Sequence, residues 1–192
     1  MTMPDRVRLP LVFDALAMAA EVEALAPDAW TPHFNQAIYR GDWSGVALRA
    51  PGGQDATLYS DPTAADFGDT PMARRCPAVA GALAQLCCPL TTVRLLALGP
   101  GSCIAQHCDF WLAFEDGEVR LHIPVVTDSA VEFVLDGRRV DMQAGECWYL
   151  NLNLPHRVAN RSPVRRVHLV VDCQVNAWLR SLFDQATEEI RA

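Results

Sequence analysis

The segment "IAQHCDFW" places His107 and Asp109 two positions apart in an otherwise apolar stretch, and "NLPHRV" supplies His156 further along the chain. In an extended strand, residues i and i+2 point to the same side, so His107 and Asp109 enter one space. Burying two such polar groups costs free energy unless something binds them. Two histidines and one carboxylate are the donors of a facial triad, which leaves positions of an iron(II) ion open to a co-substrate and dioxygen. The same donors suit zinc, so ligand type alone does not choose the metal.

A further set of residues narrows the choice. In "RSPVRRVHLVVDC", Arg166 opens a strongly apolar strand. A guanidinium projecting into a core needs an anionic partner, and its planar fork suits a carboxylate. A dicarboxylate such as 2-oxoglutarate would chelate iron(II) through its 2-oxo acid end and pair its distal carboxylate with that arginine. In "EVRLHIPVV", Arg120 and His122 also stand two apart on one strand face, and His168 follows Arg166 by the same alternation. So many polar groups aimed at one interior would be costly in a purely structural core. His107 and Asp109 are therefore expected to share a face because they share a metal. His33 reads as an ordinary hydrogen-bonded histidine and Glu146 as a turn residue. Trp111, just past the ligand pair, suits a substrate mouth or plain packing equally.

These side chains sit in a part of the chain with its own texture. Segments 92–98, 103–109, 118–126, 131–135, 138–142, 147–151, 156–160 and 165–172 are short and rich in Val, Leu and Ile. Turn signals separate them, among them Gly99-Pro100-Gly101, Asp116-Gly117, Asp136-Gly137 and Ala144-Gly145. Many short strands with regular turns predict a β-sandwich or barrel. Ahead of them, 13–25 suits a helix ending before Pro27, 46–48 a short strand, and 77–87 a helix stopped by Pro89. Behind them, Val175, Trp178, Leu179, Leu182, Phe183, Ala186 and Ile190 form one apolar helical stripe. The expected organisation is a single domain: a helical and loop-rich part over 1–90, a β core over 91–173 and a C-terminal helix over 174–190.

The composition excludes several functions. The chain has 192 residues, half of them hydrophobic, and a formal net charge of -7 without a basic stripe, so neither nucleic acid nor an anionic membrane is an expected partner. All its basic residues are arginine, and without lysine there is no Schiff-base chemistry and no Walker phosphate loop. Seven cysteines form no CxxC pair and read as reduced thiols. The start lacks a signal-peptide pattern and no run approaches the ~18 apolar residues of a membrane helix, so the expected location is cytoplasmic.

The ordered motifs "VRLLALGPGSCIAQHCD", "VRLHIPVVT", "GECWYLNLNLPHRVANRS" and "RRVHLVVD" resemble the aspartyl/asparaginyl β-hydroxylase family of 2-oxoglutarate and Fe(II) dependent oxygenases. The resemblance implies a mainly β fold with flanking helices, a double-stranded β-helix of jelly-roll, cupin-like type. It implies His107, Asp109 and His156 as iron ligands and Arg166 as the partner of the co-substrate's distal carboxylate. Arg120 and His122 would lie against carboxylates of co-substrate or substrate. Animal members lack the carboxylate ligand, and Asp109 makes this chain resemble the bacterial ones. The implied activity is hydroxylation of an amino-acid side chain with Fe(II), 2-oxoglutarate and O2, releasing succinate and CO2. The substrate would be aspartyl, asparaginyl or a related residue, free, peptidyl or carrier-bound. Free-proline hydroxylation, or a cupin-like metalloenzyme that does not use 2-oxoglutarate, are the rival expectations. The C-terminal helix would serve as internal packing or as a homodimer face.

Overall fold

The computed structural model describes residues 3–54, 57–61 and 63–191, with the side chains of 188–191 outside that description. In chain order, β1 (Arg6–Val12) leads into α1 (Ala15–Ala24), capped by the Asp14 carboxylate, which accepts from Ala17 N at 3.0 Å. The N-terminal half continues with β2 (Thr31–Pro32), β3 (Tyr39–Arg40), β4 (Trp43–Pro51), β5 (Phe67–Asp69) and α2 (Pro77–Leu83). There follow β6 (Leu90–Leu98), β7 (Cys103–His107), β8 (Glu118–Val126), β9 (Val131–Leu135), β10 (Arg138–Arg139), β11 (Glu146–Leu150), β12 (His156–Asn160) and β13 (Arg166–Gln174), before α3 (Ala177–Arg191).

The strands form two sheets, a larger one ordered β1-β11-β8-β13-β6-β4-β2, with β5 on β4, and a smaller one ordered β10-β9-β12-β7-β3. Their antiparallel ladders face each other as a double-stranded β-helix, the jelly-roll arrangement of the cupins. Alternation along the central strand β13 divides its residues cleanly. Val167, Leu169, Val171 and Cys173 join the apolar layer beneath the helices, while Arg166, His168 and Asp172 take the opposite face. Helix α3 closes that apolar layer with Leu179, Phe183 and Ala186, the Phe183 ring lying 4.9 Å from Phe114 and 5.0 Å from Tyr149. The expected stripe is thus packing; the side chain of Ile190 lies outside the described residues. A smaller apolar cluster around Trp43, Leu98, Phe133, Leu150 and Val158 fills part of the space between the sheets. The rest of that space is polar.

The N-terminal half departs from expectation. Between its helices and loops it also carries two long strands of the larger sheet, β1 and β4. Strand β1 carries arginines at alternate positions and Pro10, both of which weaken a strand reading, yet as an edge strand paired only to β11 it tolerates them. Strand β4 runs the length of β6, not only 46–48. Its Gly45 looks like a breaker but is required, since a Cβ there would lie 2.8 Å from Leu96 Cδ2 and 3.0 Å from the Leu95 carbonyl. The hairpin after β9 fits the turn prediction, with Asp136 (φ 47°) and Gly137 (φ 72°) both in left-handed backbone as a two-residue primed turn needs. Its return strand stops at Arg139, earlier than the expected 138–142. All seven cysteines are unpaired. Among the described residues no helix is long and apolar enough to cross a membrane.

Candidate metal centre

Strands β7 and β12 of the smaller sheet pair so that His107 and His156 are direct cross-strand neighbours, their ring centroids 4.2 Å apart. The Nδ1 of His107 lies 2.9 Å from the Ala105 carbonyl and that of His156 lies 3.0 Å from the Leu154 carbonyl. A carbonyl only accepts, so each Nδ1 carries the proton and each Nε2 keeps its lone pair for a metal. Asp109 completes the set, one ligand atom from each of the three residues lying within 4.8 Å of the others. Its Oδ1 is 3.7 Å from His107 Nε2. Burial, followed by the neighbouring His107, pushes His156 down to about 4, so it is a neutral donor at ordinary pH.

The structure brings His107 and Asp109 together, but not by strand alternation alone. Strand β7 ends at His107, and Asp109 lies beyond it. What places Asp109 is its own N–H, which donates to the Leu152 carbonyl at 2.8 Å, and the Arg120 guanidinium, whose Nη1 donates to Oδ2 at 2.6 Å. Cys108, between His107 and Asp109, also borders the cavity that these residues line.

That cavity holds about 610 Å³ between the sheets, and every candidate site residue borders it: His107, Asp109, Arg120, His122, His156 and Arg166. Arg166 is buried, and one terminal nitrogen donates to His168 Nδ1 at 2.8 Å, which fixes His168 as a neutral acceptor in a supporting role. Among the described residues no carboxylate pairs with Arg166, and its Nε has no partner. Burial alone pushes this guanidinium down to about 9. Both ring nitrogens of buried His122 are also without partners. Burial, with Arg166 next, holds His122 well below the usual imidazole range. Unpaired buried donors beside open metal-ligand nitrogens are the complement of an anionic chelator, so the residues present fit iron(II) and 2-oxoglutarate.

Arg120 is placed differently from expectation. Three of its five N–H groups are already engaged, Nη1 with Asp109 and the Nε and Nη2 fork with Asp172, at 2.6 and 2.9 Å. Sequence reasoning missed Asp172 and Arg94, which donates to Asp172 Oδ2 at 2.6 Å. The signal was available, because the alternation linking Arg166 to His168 continues to Asp172, and Arg94 is a lone charge in "TTVRLLAL". His33 is, as expected, a hydrogen-bonded histidine, its Nδ1 accepting from Asn35 N at 3.3 Å; it is buried on the cavity wall and stacked on Trp43 with centroids 3.4 Å apart. Glu146, as expected, lies away from the metal ligands, accepting from Trp148 Nε1 and Arg8. At the cavity mouth stand Phe34, Tyr59, Phe110 and Trp111, all exposed, with Trp111 in left-handed backbone at φ 68°.

Fold and site together define a double-stranded β-helix with a candidate facial-triad metal centre. The chain matches the model of the family described as aspartyl/asparaginyl beta-hydroxylase over residues 14–175, and it belongs to that family. It is 24% identical over 182 residues to the L-proline cis-4-hydroxylase of Rhizobium meliloti, an alignment covering 93% of this chain and 64% of that relative's length. Among solved structures it is similar to the epimerase SnoN from nogalamycin biosynthesis, in a complex with Fe3+ and alpha ketoglutarate, at a TM-score of 0.54 with 17% identity, covering 88% of this chain and 79% of that one. A prolyl-4-hydroxylase of Pseudomonas putida superposes at 0.51 with 15% identity, covering 90% and 94%. At these identities the structural likeness establishes the fold.

Proposed function

We propose that the protein is a 2-oxoglutarate and Fe(II) dependent hydroxylase of an amino-acid side chain, with His107, Asp109 and His156 as the metal ligands. One observation carries the reading: two histidines whose Nε2 atoms face a shared cavity with a carboxylate stand beside Arg166, a buried arginine that has no carboxylate partner among the described residues. Bound iron(II) would supply the activation of dioxygen, coupled to oxidative decarboxylation of 2-oxoglutarate to succinate and CO2.

The chain's own residues supply binding, orientation and exclusion of water. The carbonyls of Ala105 and Leu154 fix the histidine tautomers. Arg166 offers its fork to the distal carboxylate, with His168 holding the plane of the guanidinium. His122, neutral and without a partner among the described residues, would donate one N–H to a co-substrate oxygen. Arg120 keeps two N–H groups for a carboxylate of co-substrate or substrate. The walls formed by Leu152, Val158, Val170 and Phe133 keep the cavity dry, and the aromatic rings at the mouth receive the body of the substrate. That substrate is a small amino acid, free, in a peptide or carrier-bound. The proline hydroxylase relative favours free proline as the second reading.

The test is succinate formed from 2-oxoglutarate by anaerobically iron-loaded protein exposed to air, with proline, aspartate, asparagine and small peptides as candidate substrates. Stimulation by one compound, lost in His107→Ala, is the expected result. Iron binding without 2-oxoglutarate consumption would point instead to a cupin-like metalloenzyme, and His107→Ala with unchanged metal content would overturn the site itself.

A further inference from the structure

Asp109 is the least anchored of the three ligands. It stands outside strand β7, so no pleat fixes its side chain, and the two oxygens of its carboxylate have different surroundings. Oδ2 accepts from Arg120 Nη1 at 2.6 Å, whereas Oδ1 is the oxygen near His107 Nε2. The direction of this carboxylate is therefore set by the direction of the Arg120 guanidinium.

That guanidinium is held by Asp172. The two residues are directly opposite each other in the β8–β13 ladder, and Asp172 takes the fork of Arg120 with both oxygens, Oδ1 from Nε and Oδ2 from Nη2. A two-point contact fixes the plane of a guanidinium, and the remaining nitrogen, Nη1, then points in one direction. Asp172 is itself fully buried and held by two further donors to Oδ2, Thr92 Oγ1 at 2.6 Å and Arg94 Nη2 at 2.6 Å. Arg94 reaches it on the diagonal, since it is paired with Val170, two residues away on β13. Strands β6, β13 and β8 of the larger sheet thus act through Thr92 and Arg94, Asp172, and Arg120 in turn on a ligand that follows a strand of the smaller sheet.

We propose, resting on the metal assignment above, that Asp172 is a positioning residue for the metal centre. It locks Arg120 so that Asp109 Oδ2 is occupied and Oδ1 alone is left for the metal. The consequence concerns coordination number. Three single protein donors leave three positions, of which a chelating 2-oxo acid takes two, and one remains for dioxygen. A carboxylate free to rotate and bind through both oxygens would close that last position.

The experiment measures Fe(II) affinity by chelator competition, and binding of nitric oxide to the Fe(II) and 2-oxoglutarate loaded protein as a probe of the open position. It compares the unmodified protein, Asp172→Asn, Arg120→Lys and the double variant, with melting of each metal-free protein recorded separately. Asp172→Asn and Arg120→Lys are each expected to weaken Fe(II) binding on the order of 10- to 100-fold, as loss of a partner that orients a metal ligand does, and to weaken nitric oxide binding more than 2-oxoglutarate binding. The double variant should be no worse than Arg120→Lys alone, because Asp172 acts through Arg120. A lower melting temperature in Asp172→Asn with unchanged Fe(II) and nitric oxide affinity overturns the proposal and makes Asp172 structural. Effects that multiply in the double variant also overturn it. Should Asp172→Asn fail to fold, Arg120→Lys decides, and unmodified affinities there overturn the proposal. If the unmodified protein binds no Fe(II), the metal assignment falls and takes this proposal with it, whereas failure in the variants alone leaves the assignment standing.

Discussion

Three arginines face the same cavity from the larger sheet, Arg94 and Arg166 buried and Arg120 partly so, and their surroundings are opposite. Arg94 and Arg120 converge on Asp172, which accepts four hydrogen bonds from them and from Thr92. Burial acts to raise the Asp172 carboxyl, but Arg120 and then Arg94 override it and hold the group well below the usual carboxylate range. Among the described residues, Arg166, on the same strand as Asp172, has only His168 as a side-chain partner. One end of the sheet is electrically complete within the chain, and the other is complete only with a ligand. A buried charge left unpaired is unfavourable, so its retention marks a binding role, whereas a closed ion network marks a positioning one.

The largest expected effect separates the two ends through ligand affinity. Arg166→Ala should weaken 2-oxoglutarate binding by about 2–5 kcal/mol, the usual loss when one partner of a buried charge pair is truncated, as measured by calorimetry on the metal-loaded protein. An effect below tenfold would break the contrast. Stability of the ligand-free protein should show the reverse order. Asp172→Ala leaves the buried Arg94 guanidinium without its carboxylate and Arg120 with Asp109 alone, and should cost about 3–5 kcal/mol in denaturant unfolding. Arg166→Met, which removes an unpaired charge while keeping volume, should be neutral or stabilising by a smaller amount.

Acid should weaken the fold through the histidines of the same cavity. Burial, followed by Arg94, pushes His33 down to about 4, and burial followed by Arg166 holds His168 well below the usual imidazole range. The unfolded chain protonates both near 6.5. Below that pH the unfolded state takes up protons that the folded state does not. Stability is therefore complete above about pH 6.5 and declines as the pH falls toward 4. Melting of the metal-free protein between pH 8 and 4.5 checks this, and His33→Phe, which should keep the stacking on Trp43, should flatten the curve. The smallest effect is expected at the mouth. Trp111→Gly relieves left-handed backbone and should stabilise the fold by about 1 kcal/mol, while raising KM for any substrate that uses the aromatic rim.

The part of this molecule legible in the sequence is what a two-residue period can carry. Alternation alone assigns Arg120 and His122 to one face and Arg166, His168 and Asp172 to another, and the turn signals bound β8, β9 and β12 at the observed residues. The donor types at His107, Asp109 and His156 already mark a candidate metal centre. Strands β1 and β4 were hidden because Pro10, the arginines of β1 and Gly45 are unfavourable locally and acceptable only beside β11 and β6.

The pairing of these faces was decided by tertiary structure. That Asp172 meets Arg120, and that His107 meets His156, depends on strand register, and a slip of one residue would turn each of them to the opposite face. That the Asp109 carboxylate lies beside His107 and His156 after its strand has ended depends on an arginine reaching across from the other sheet. A sequence states which groups are available for chemistry, but which buried charge finds a partner and which stays open for a ligand is a property of distances between strands far apart in the chain.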